Sequence, residues 1–372
     1  MGLKKYKLGE LIERSTVNNK DLKYGTDLIA GVNNDGVFTS PKGNPIDVDL
    51  KPYKLVNNGA FVYNPTRIDL GSLAYRTEGF CIVSHLYIIF YLNEKGKEIL
   101  DPYYLYIYFH RDEFRREVRF RNFGSQRPEF SFSDMADISI TLPSLAQQRK
   151  FVNVYLALQN NLAVYQSKAE DLKLVCDGYL DKLKDECEKM KVGDLLEAVD
   201  KRNTELKFSG VQGININKQF FPTVANIDES STRNYKIVEQ NQFAFSGMQT
   251  GRDKCIRIAL NEEERPIIVS PAYTVLKIMD EDRVLTHYIM MWFSRKQIDR
   301  YGWFASDASI RSNLDLERFY EMSIPIPDIS VQREIVNIHK CYIERQRIAA
   351  RLKEQLNNLC PILIKGSLET EN

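Results

Sequence analysis

Arg111, Arg115, Arg116, Arg119, Arg121 and Arg127 fall within one short window, against only Asp112, Glu113 and Glu117, a local excess of three positive charges. A second window, 295–311, holds Arg295, Lys296, Arg300 and Arg311 against Asp299 and Asp307, an excess of two. The planar guanidinium fork can make two hydrogen bonds to guanine O6 and N7, while Ser, Asn and Gln suit phosphates or adenine. Each window closes in a turn-like segment rich in such donors: Asn122-Phe123-Gly124-Ser125-Gln126-Arg127-Pro128 and Ser306-Asp307-Ala308-Ser309-Ile310-Arg311-Ser312-Asn313. Arg119, Arg121, Asn122, Ser125, Gln126, Arg127, Ser309, Arg311 and Asn313 are therefore the first candidates for DNA contact. Ser125/Ser309 and Arg127/Arg311 recur and suit phosphates or a shared scaffold. Gln126 against Ile310 differs and suits the reading of different bases.

Further residues lie in the middle of each half: Arg67, Arg76 and His85, then Arg252, Lys254 and Arg257, taken as secondary DNA candidates. His85, flanked by Val83, Leu86 and Tyr87, is expected in a core. Tyr75, Trp303 and Phe304 could stack on bases, but aromatic residues in mixed domains are usually core. Net charge over the chain is only +1, so there is no global steering towards phosphate, and any grip on nucleic acid rests on local windows. Signatures of catalysis are missing. Asn64-Pro65-Thr66-Arg67 lacks the second proline and the aromatic clamp of the Asn-Pro-Pro-aromatic motif of adenine methyltransferases. There is no Gly-rich cofactor loop before it, and no GxxxxGKS/T, HExxH or GxSxG. Two rivals to a DNA reader stand: a self-contained methyltransferase or nuclease, and an architectural coiled-coil protein with protein-binding ends.

The elements that position these residues come in two copies. Tyr6-Lys7-Leu8-Gly9-Glu10-Leu11 recurs as Met190-Lys191-Val192-Gly193-Asp194-Leu195, an offset of 184 between Gly9 and Gly193. Leu142-Pro143 followed by Gln148-Arg149 recurs as Ile326-Pro327 followed by Gln332-Arg333, and Phe109-His110-Arg111 as Phe293-Ser294-Arg295, all in the same frame. The middles agree less well, since Val83-Ser84 meets Val269-Ser270 only at 186. Constant ends around divergent middles suggest one scaffold carrying two specificities.

Residues 1–146 and 190–330 each mix short strand-like runs with helices and predict an α+β domain. In the first, strands are expected at Ala60–Tyr63, Phe80–Leu92 and Ile138–Ile140, with helical stretches near 8–13 and 102–119. Residues 147–189 and 331–372 read as spacer helices, the latter stopped or kinked at Pro361. The first spacer carries apolar or small residues at Phe151, Tyr155, Leu158, Leu162, Tyr165, Ala169, Leu172, Cys176, Tyr179 and Leu183. The second carries Ile335, Ile338, Tyr342, Ala349, Leu352, Leu356, Leu359 and Leu363, with Arg345 breaking the series. Alternating steps of three and four make a coiled-coil seam. Connectivity favours antiparallel pairing, and a forty-residue helix is about 60 Å long. The expected architecture is two pseudo-symmetric α+β domains separated by a long antiparallel two-helix coiled coil. Such a two-fold ligand reader suits duplex DNA, whose strands exchange under a dyad.

Composition agrees: 43% hydrophobic and 27% charged residues in a chain of 372 are globular, with room for two domains. The longest apolar run, Cys81–Leu92, is too short for a bilayer span, and the N-terminus shows no signal-like apolar core. A cytoplasmic protein without membrane contact is expected. Six cysteines show no CxxC pair, which supports neither a disulfide framework nor a zinc site and suggests reduced packing residues.

On the domain starts Leu8-Gly9-Glu10-Leu11 and Val192-Gly193-Asp194-Leu195, the stretch Asn64-Pro65-Thr66-Arg67-Ile68-Asp69-Leu70-Gly71-Ser72, and the exits Leu142–Arg149 and Ile326–Arg333, the chain resembles the specificity subunits of type I restriction-modification systems. The resemblance covers essentially the whole chain. The second domain departs from it, with Phe245-Ser246-Gly247-Met248-Gln249-Thr250-Gly251-Arg252 in place of the Asn-Pro-Thr-Arg stretch. The resemblance implies a non-catalytic reader in which two target-recognition domains each read half of a bipartite site in double-stranded DNA and the helices set the unread gap. It also implies two modification subunits, which bind S-adenosylmethionine and methylate adenine, and restriction subunits that use ATP and Mg. The chain itself would hold no metal or cofactor.

Overall fold

The computed structural model describes residues 2–41, 48–122, 129–223, 229–248, 250–307 and 312–370. The chain divides into two compact units, residues 1–164 with 348–372, and residues 165–347.

In the first unit a four-stranded antiparallel sheet is built from β1 (Ile12–Ser15), β2 (Phe61–Tyr63), β3 (Leu73–Tyr75) and β4 (Ile88–Leu92), in the order β1-β4-β2-β3. Side chains alternate across a strand, and both faces are used. Phe61, Tyr63, Leu73 and Phe90 point into the main core. Val62, Ala74 and Ile89 point the other way, against Val32, Val56, Cys81 and Val83 of smaller strand pairs. Pro102–Phe109 and α1 (Asp112–Arg121) are separate helices, broken at His110–Arg111. The sequence stretch near 8–13 is not the helix expected there. Leu8–Glu10 forms one tight turn closed by Leu11 N–H on the Leu8 carbonyl, and β1 then pairs with β4. The apolar run Phe80–Leu92 is two strands, Cys81–Val83 and β4, joined by a turn that carries His85 into solvent. The more sheltered histidine of this unit is instead the half-buried His110, whose Nδ1 lies 2.8 Å from the Tyr106 carbonyl.

The two ends of the repeat are neighbours in space. Lys4–Lys7 pairs antiparallel with Ser139–Leu142, and Leu8 N–H donates to the Ile138 carbonyl at 2.8 Å. A Cβ on Gly9 would stand 3.0 Å from the Ala136 Cβ, which is why glycine fits the entry motif. From this closed base the chain enters α2 (Leu145–Glu186).

The second unit repeats the plan. Its sheet of β5 (Leu196–Val199), β6 (Phe243–Ser246), β7 (Arg257–Leu260) and β8 (Thr274–Ile278) has the order β5-β8-β6-β7, the same as the first. Phe243, Phe245, Ile258 and Leu276 face the main core, and Ala244, Ala259 and Val275 face a second sheet through Ile214, Val238 and Val269. Helix α3 (Lys296–Ala305) corresponds to α1. Lys189–Lys191 pairs with Ser323–Pro325, Val192 N–H reaches the Met322 carbonyl at 2.8 Å, and Gly193 packs on Tyr320. The chain leaves through α4 (Ile329–Glu369).

Each unit contains one segment of each long helix, and in both the segments run antiparallel. In the first, Gln147 Nε2 donates to Thr370 Oγ1, Gly366 packs on Phe151, and Val152 and Tyr155 share the core with Leu356, Cys360, Leu363 and Ile364. In the second, the Arg345 guanidinium lies 5.9 Å from the centre of the Tyr165 ring, so the residue that breaks the apolar series caps an aromatic face. Further along, Leu180 and Leu183 share the core with Ile335 and Val336. Two details differ from the sequence reading. Tyr179 is 40% exposed and Leu180 only 1%, because a straight helix drifts from a 3.5-residue repeat. Pro361 does not end α4. It forfeits one hydrogen bond, while buried Cys360, Leu363 and Ile364 hold the adjoining turns in place.

Candidate nucleic-acid interface

In the first unit the base of the candidate surface is the turn Ile68–Leu70, which lies against α1. Arg67 is exposed at the start of this turn. Arg119 crosses from α1, its Nε 3.4 Å from Asp69 Oδ2 and its Nη2 3.3 Å from the Asp69 carbonyl, so the structure brings Arg67 and Arg119 to one neighbourhood. Arg121 turns the other way and is partly sheltered. Burial opposes its charge, but Glu117 at 2.9 Å and Asp137 at 3.4 Å outweigh that and hold its pKa above the usual value. Asn122 is half-buried and ends the helix, its N–H on the Val118 carbonyl. Ser125, Gln126 and Arg127 lie outside the described residues. The chain returns at Phe130, whose N–H donates to the Pro65 carbonyl at 2.9 Å and whose carbonyl accepts from Tyr63 Oη at 3.2 Å. The Asn64-Pro65-Thr66 stretch thus anchors the segment at Phe130. Arg76 stands elsewhere, over the Phe38 ring, in a cavity of about 650 Å³ lined also by Tyr75, Glu78, Tyr103 and Gln159.

In the second unit Thr250–Asp253 forms a short helical turn packed on α3, with Gly302 of α3 set against Ile256 and Thr250. Arg252 and Lys254 are exposed here, and Lys254 lies 5.3 Å from the centre of the exposed Trp303 ring. Arg252 and the half-buried Arg257 both pair with Asp253. Partial burial pushes the Asp253 carboxyl up, but the hydrogen bonds from Arg252 and Arg257 prevail and hold it below the usual carboxylate range. Ser309 and Arg311 lie outside the described residues. Asp307 and Asn313 are paired: Asn313 N–H donates to Asp307 Oδ1, and Asp307 N–H to the Asn313 carbonyl, both at 2.9 Å. Leu314 N–H then donates to the Gly247 carbonyl at 2.9 Å. A Cβ on Gly247 would stand 1.7 Å from the Leu314 carbonyl oxygen. Gly247 therefore does the work of Pro65, and the departure of the Phe245–Arg252 stretch from the family pattern keeps the anchoring contact.

Not all of the basic windows face solvent. Arg111 folds over Tyr108, and Arg295 is buried, bonded to Asp181 of α2 and stacked on Trp292. Arg111 closes back on the helix before it, and Arg295 ties its helix to α2 through Asp181, a partner distant in sequence. The aromatic expectation also changes. Trp303 and Phe304 are exposed, as is Phe120, which the reading by residue type passed over although it stands 184 before Phe304. Gln148 and Gln332 were likewise visible only as motif letters. Both are fully buried. Gln148 accepts from Asp101 N–H at 2.9 Å and donates to the Ile99 and Pro143 carbonyls at 2.9 and 3.0 Å. Gln332 accepts from Leu285 N–H at 2.9 Å and donates to the Arg283 and Pro327 carbonyls at 2.9 and 2.8 Å. Each glutamine locks a long helix to its globular part.

A family model for the type I restriction modification DNA specificity domain matches the chain twice, over residues 2–172 and 184–358. The chain belongs to this family. The two matches fall on the two copies of the repeat. Among solved structures, the type I restriction-modification system S subunit from M. genitalium is similar in fold, with a TM-score of 0.59 at 14% identity over 100% of this chain and 96% of that one. The HsdS subunit from Thermoanaerobacter tengcongensis matches at a TM-score of 0.41, 14% identity, and 100% and 97% coverage. A chain from a structure of type I R-M complex assembly and conformational transition matches at 0.48, 14% identity, and 99% and 97% coverage. No curated protein matches the chain.

Proposed function

We propose that this member of the specificity family is the DNA-reading, non-catalytic subunit of a type I restriction-modification complex. Each unit reads one half of a bipartite target in double-stranded DNA. The helical part docks two modification subunits, which bind S-adenosylmethionine and methylate adenine, and restriction subunits using ATP and Mg cleave unmodified DNA. The carrying observation is that the DNA specificity domain matches twice, once on each copy of a scaffold presenting basic residues at its surface. An architectural protein with protein-binding ends gives no reason for these surfaces. Ser125, Gln126, Arg127, Ser309 and Arg311 remain proposed DNA contacts on the loops, beside Arg67, Arg119, Arg252 and Lys254. Arg121 and Arg257 are half-buried as well as engaged by carboxylates and are assigned to shaping the surface. Among the described residues no helix is long and apolar enough to cross a membrane, which fits the cytoplasmic location we assign.

The test is co-purification of the chain with a DNA methyltransferase, followed by sequencing of methylated adenines in DNA exposed to that complex. The expected product is an asymmetric motif in two parts with a fixed gap. Methylation by this chain alone with S-adenosylmethionine would overturn the assignment.

A further inference from the structure

Phe120 is 82% exposed and Phe304 is 83% exposed, and they are 184 residues apart, the offset of the repeat. Each lies at the end of the helix that leads into a candidate recognition loop, α1 or α3. Each also has an exposed arginine four residues before it, Arg116 and Arg300. Residues four apart share a helix face, so the same arginine–phenylalanine pair faces outward in both units. The opposite faces are buried through Phe114 and Val118 in one and Gly302 in the other. Between the paired residues the chain reads Glu117-Val118-Arg119 in one copy and Tyr301-Gly302-Trp303 in the other. The pair persists where its neighbours have changed.

Resting on the function proposed above, we infer that Arg116–Phe120 and Arg300–Phe304 are sequence-independent DNA grips, one per unit. The arginine takes a phosphate, and the ring wedges against the adjoining sugar and base step, as apolar side chains of minor-groove proteins do. A residue pair common to both units cannot tell the two half-sites apart, which assigns it to backbone contact instead of base readout. Among the described residues the carboxylate on Arg116 is Glu113, at 3.5 Å with both groups exposed, a weak surface pair that a phosphate can replace. Duplex DNA is favoured over a protein partner because the same exposed arginine shares a helix face with the ring in both units, Arg116 with Phe120 and Arg300 with Phe304, and a cation repeated at equivalent positions suits a uniformly anionic backbone.

The experiment uses the full chain purified with its modification subunits, and two duplexes of equal length, one with the methylated motif and one shuffled. Phe120→Ala and Phe304→Ala should each weaken binding to both duplexes about tenfold, with the methylated motif and the ratio between duplexes unchanged. Arg116→Ala and Arg300→Ala should each reduce the slope of log affinity against log salt by about one. Both rings are exposed, so the melting temperature should hold; if it does not, the arginine slopes decide alone. Unchanged affinity and slope would overturn the inference. So would loss of the modification subunits on Phe→Ala, which marks a protein-docking site, or a changed motif, which marks base readout. A wild-type complex that methylates no bipartite motif would instead sink the proposed function itself.

Discussion

Replacing Gln332 with leucine keeps the side-chain size at a fully buried position and removes all three of its hydrogen bonds. The Leu285 N–H then faces a hydrocarbon with no acceptor, and the Arg283 and Pro327 carbonyls lose a donor. A buried polar group left unmade costs about 1–3 kcal/mol, and part of the loss is offset by the apolar replacement, which gives about 3–5 kcal/mol for the junction. In a unit spanning residues 165–347, each kcal/mol moves the melting temperature by about 2–4 °C, so the second transition should fall by about 10 °C. Calorimetry of the full chain reads this directly, with Gln148→Leu lowering the first unit's transition in the same way. Gln332→Glu sharpens the test: it keeps an acceptor for Leu285 but turns a carboxylate oxygen towards two carbonyls, and should cost about as much as leucine. A Gln332→Leu transition within about 2 °C of wild type would refute the reasoning, since it would show that the buried amide contributes nothing net. Methylation should fail with the loss of a correctly seated helix even though neither glutamine touches DNA.

Two further outcomes follow from the structure. Burial lowers the His110 pKa from its usual 6.5 to about 4, so the unfolded chain takes up a proton that the folded one refuses. Above pH 6.5 the ring is neutral in both states and costs nothing; stability of the first unit should fall as pH drops from about 6.5 towards 4. His110→Gln should flatten that part of a melting-temperature profile, and an unchanged profile would show that the histidine is not the group responsible. Gly247→Ala places a methyl group on the Leu314 carbonyl and should displace the segment that returns from the second loop. We expect methylation to be lost through the second half-site while the first unit melts as before, and normal methylation would contradict the anchoring role.

The likeness between Gly247 and Pro65 shows where reading by residue type stops. The two stretches share no motif, yet each carbonyl receives the N–H of the residue that follows its loop, Leu314 or Phe130. Hydrogen bonds of this kind depend on backbone position and leave no mark on side-chain identity. Fully buried Gln148 and Gln332 were legible as recurring letters, but their meaning needed the three partners that each one holds. His85 failed for another reason. A run of apolar residues reads as a single strand, and only pairing with separate partners, Lys54–Val56 for Cys81–Val83 and β1 for β4, reveals the turn between them.

By itself the sequence determined the duplication, the α+β character of both halves, the two long helices and the recurrence of basic residues before each loop. These are properties of order and period along a chain, and local spacing is enough to express them. Tertiary structure decided which of these side chains face solvent. Arg121 and Arg257 are occupied by carboxylates and Arg295 is buried against α2, whereas Arg116, Arg300, Phe120 and Phe304 point outward. Exposure is set by what packs against a residue from distant parts of the chain. Arginines alike in the sequence therefore become scaffold or surface only once the fold brings their neighbours to them.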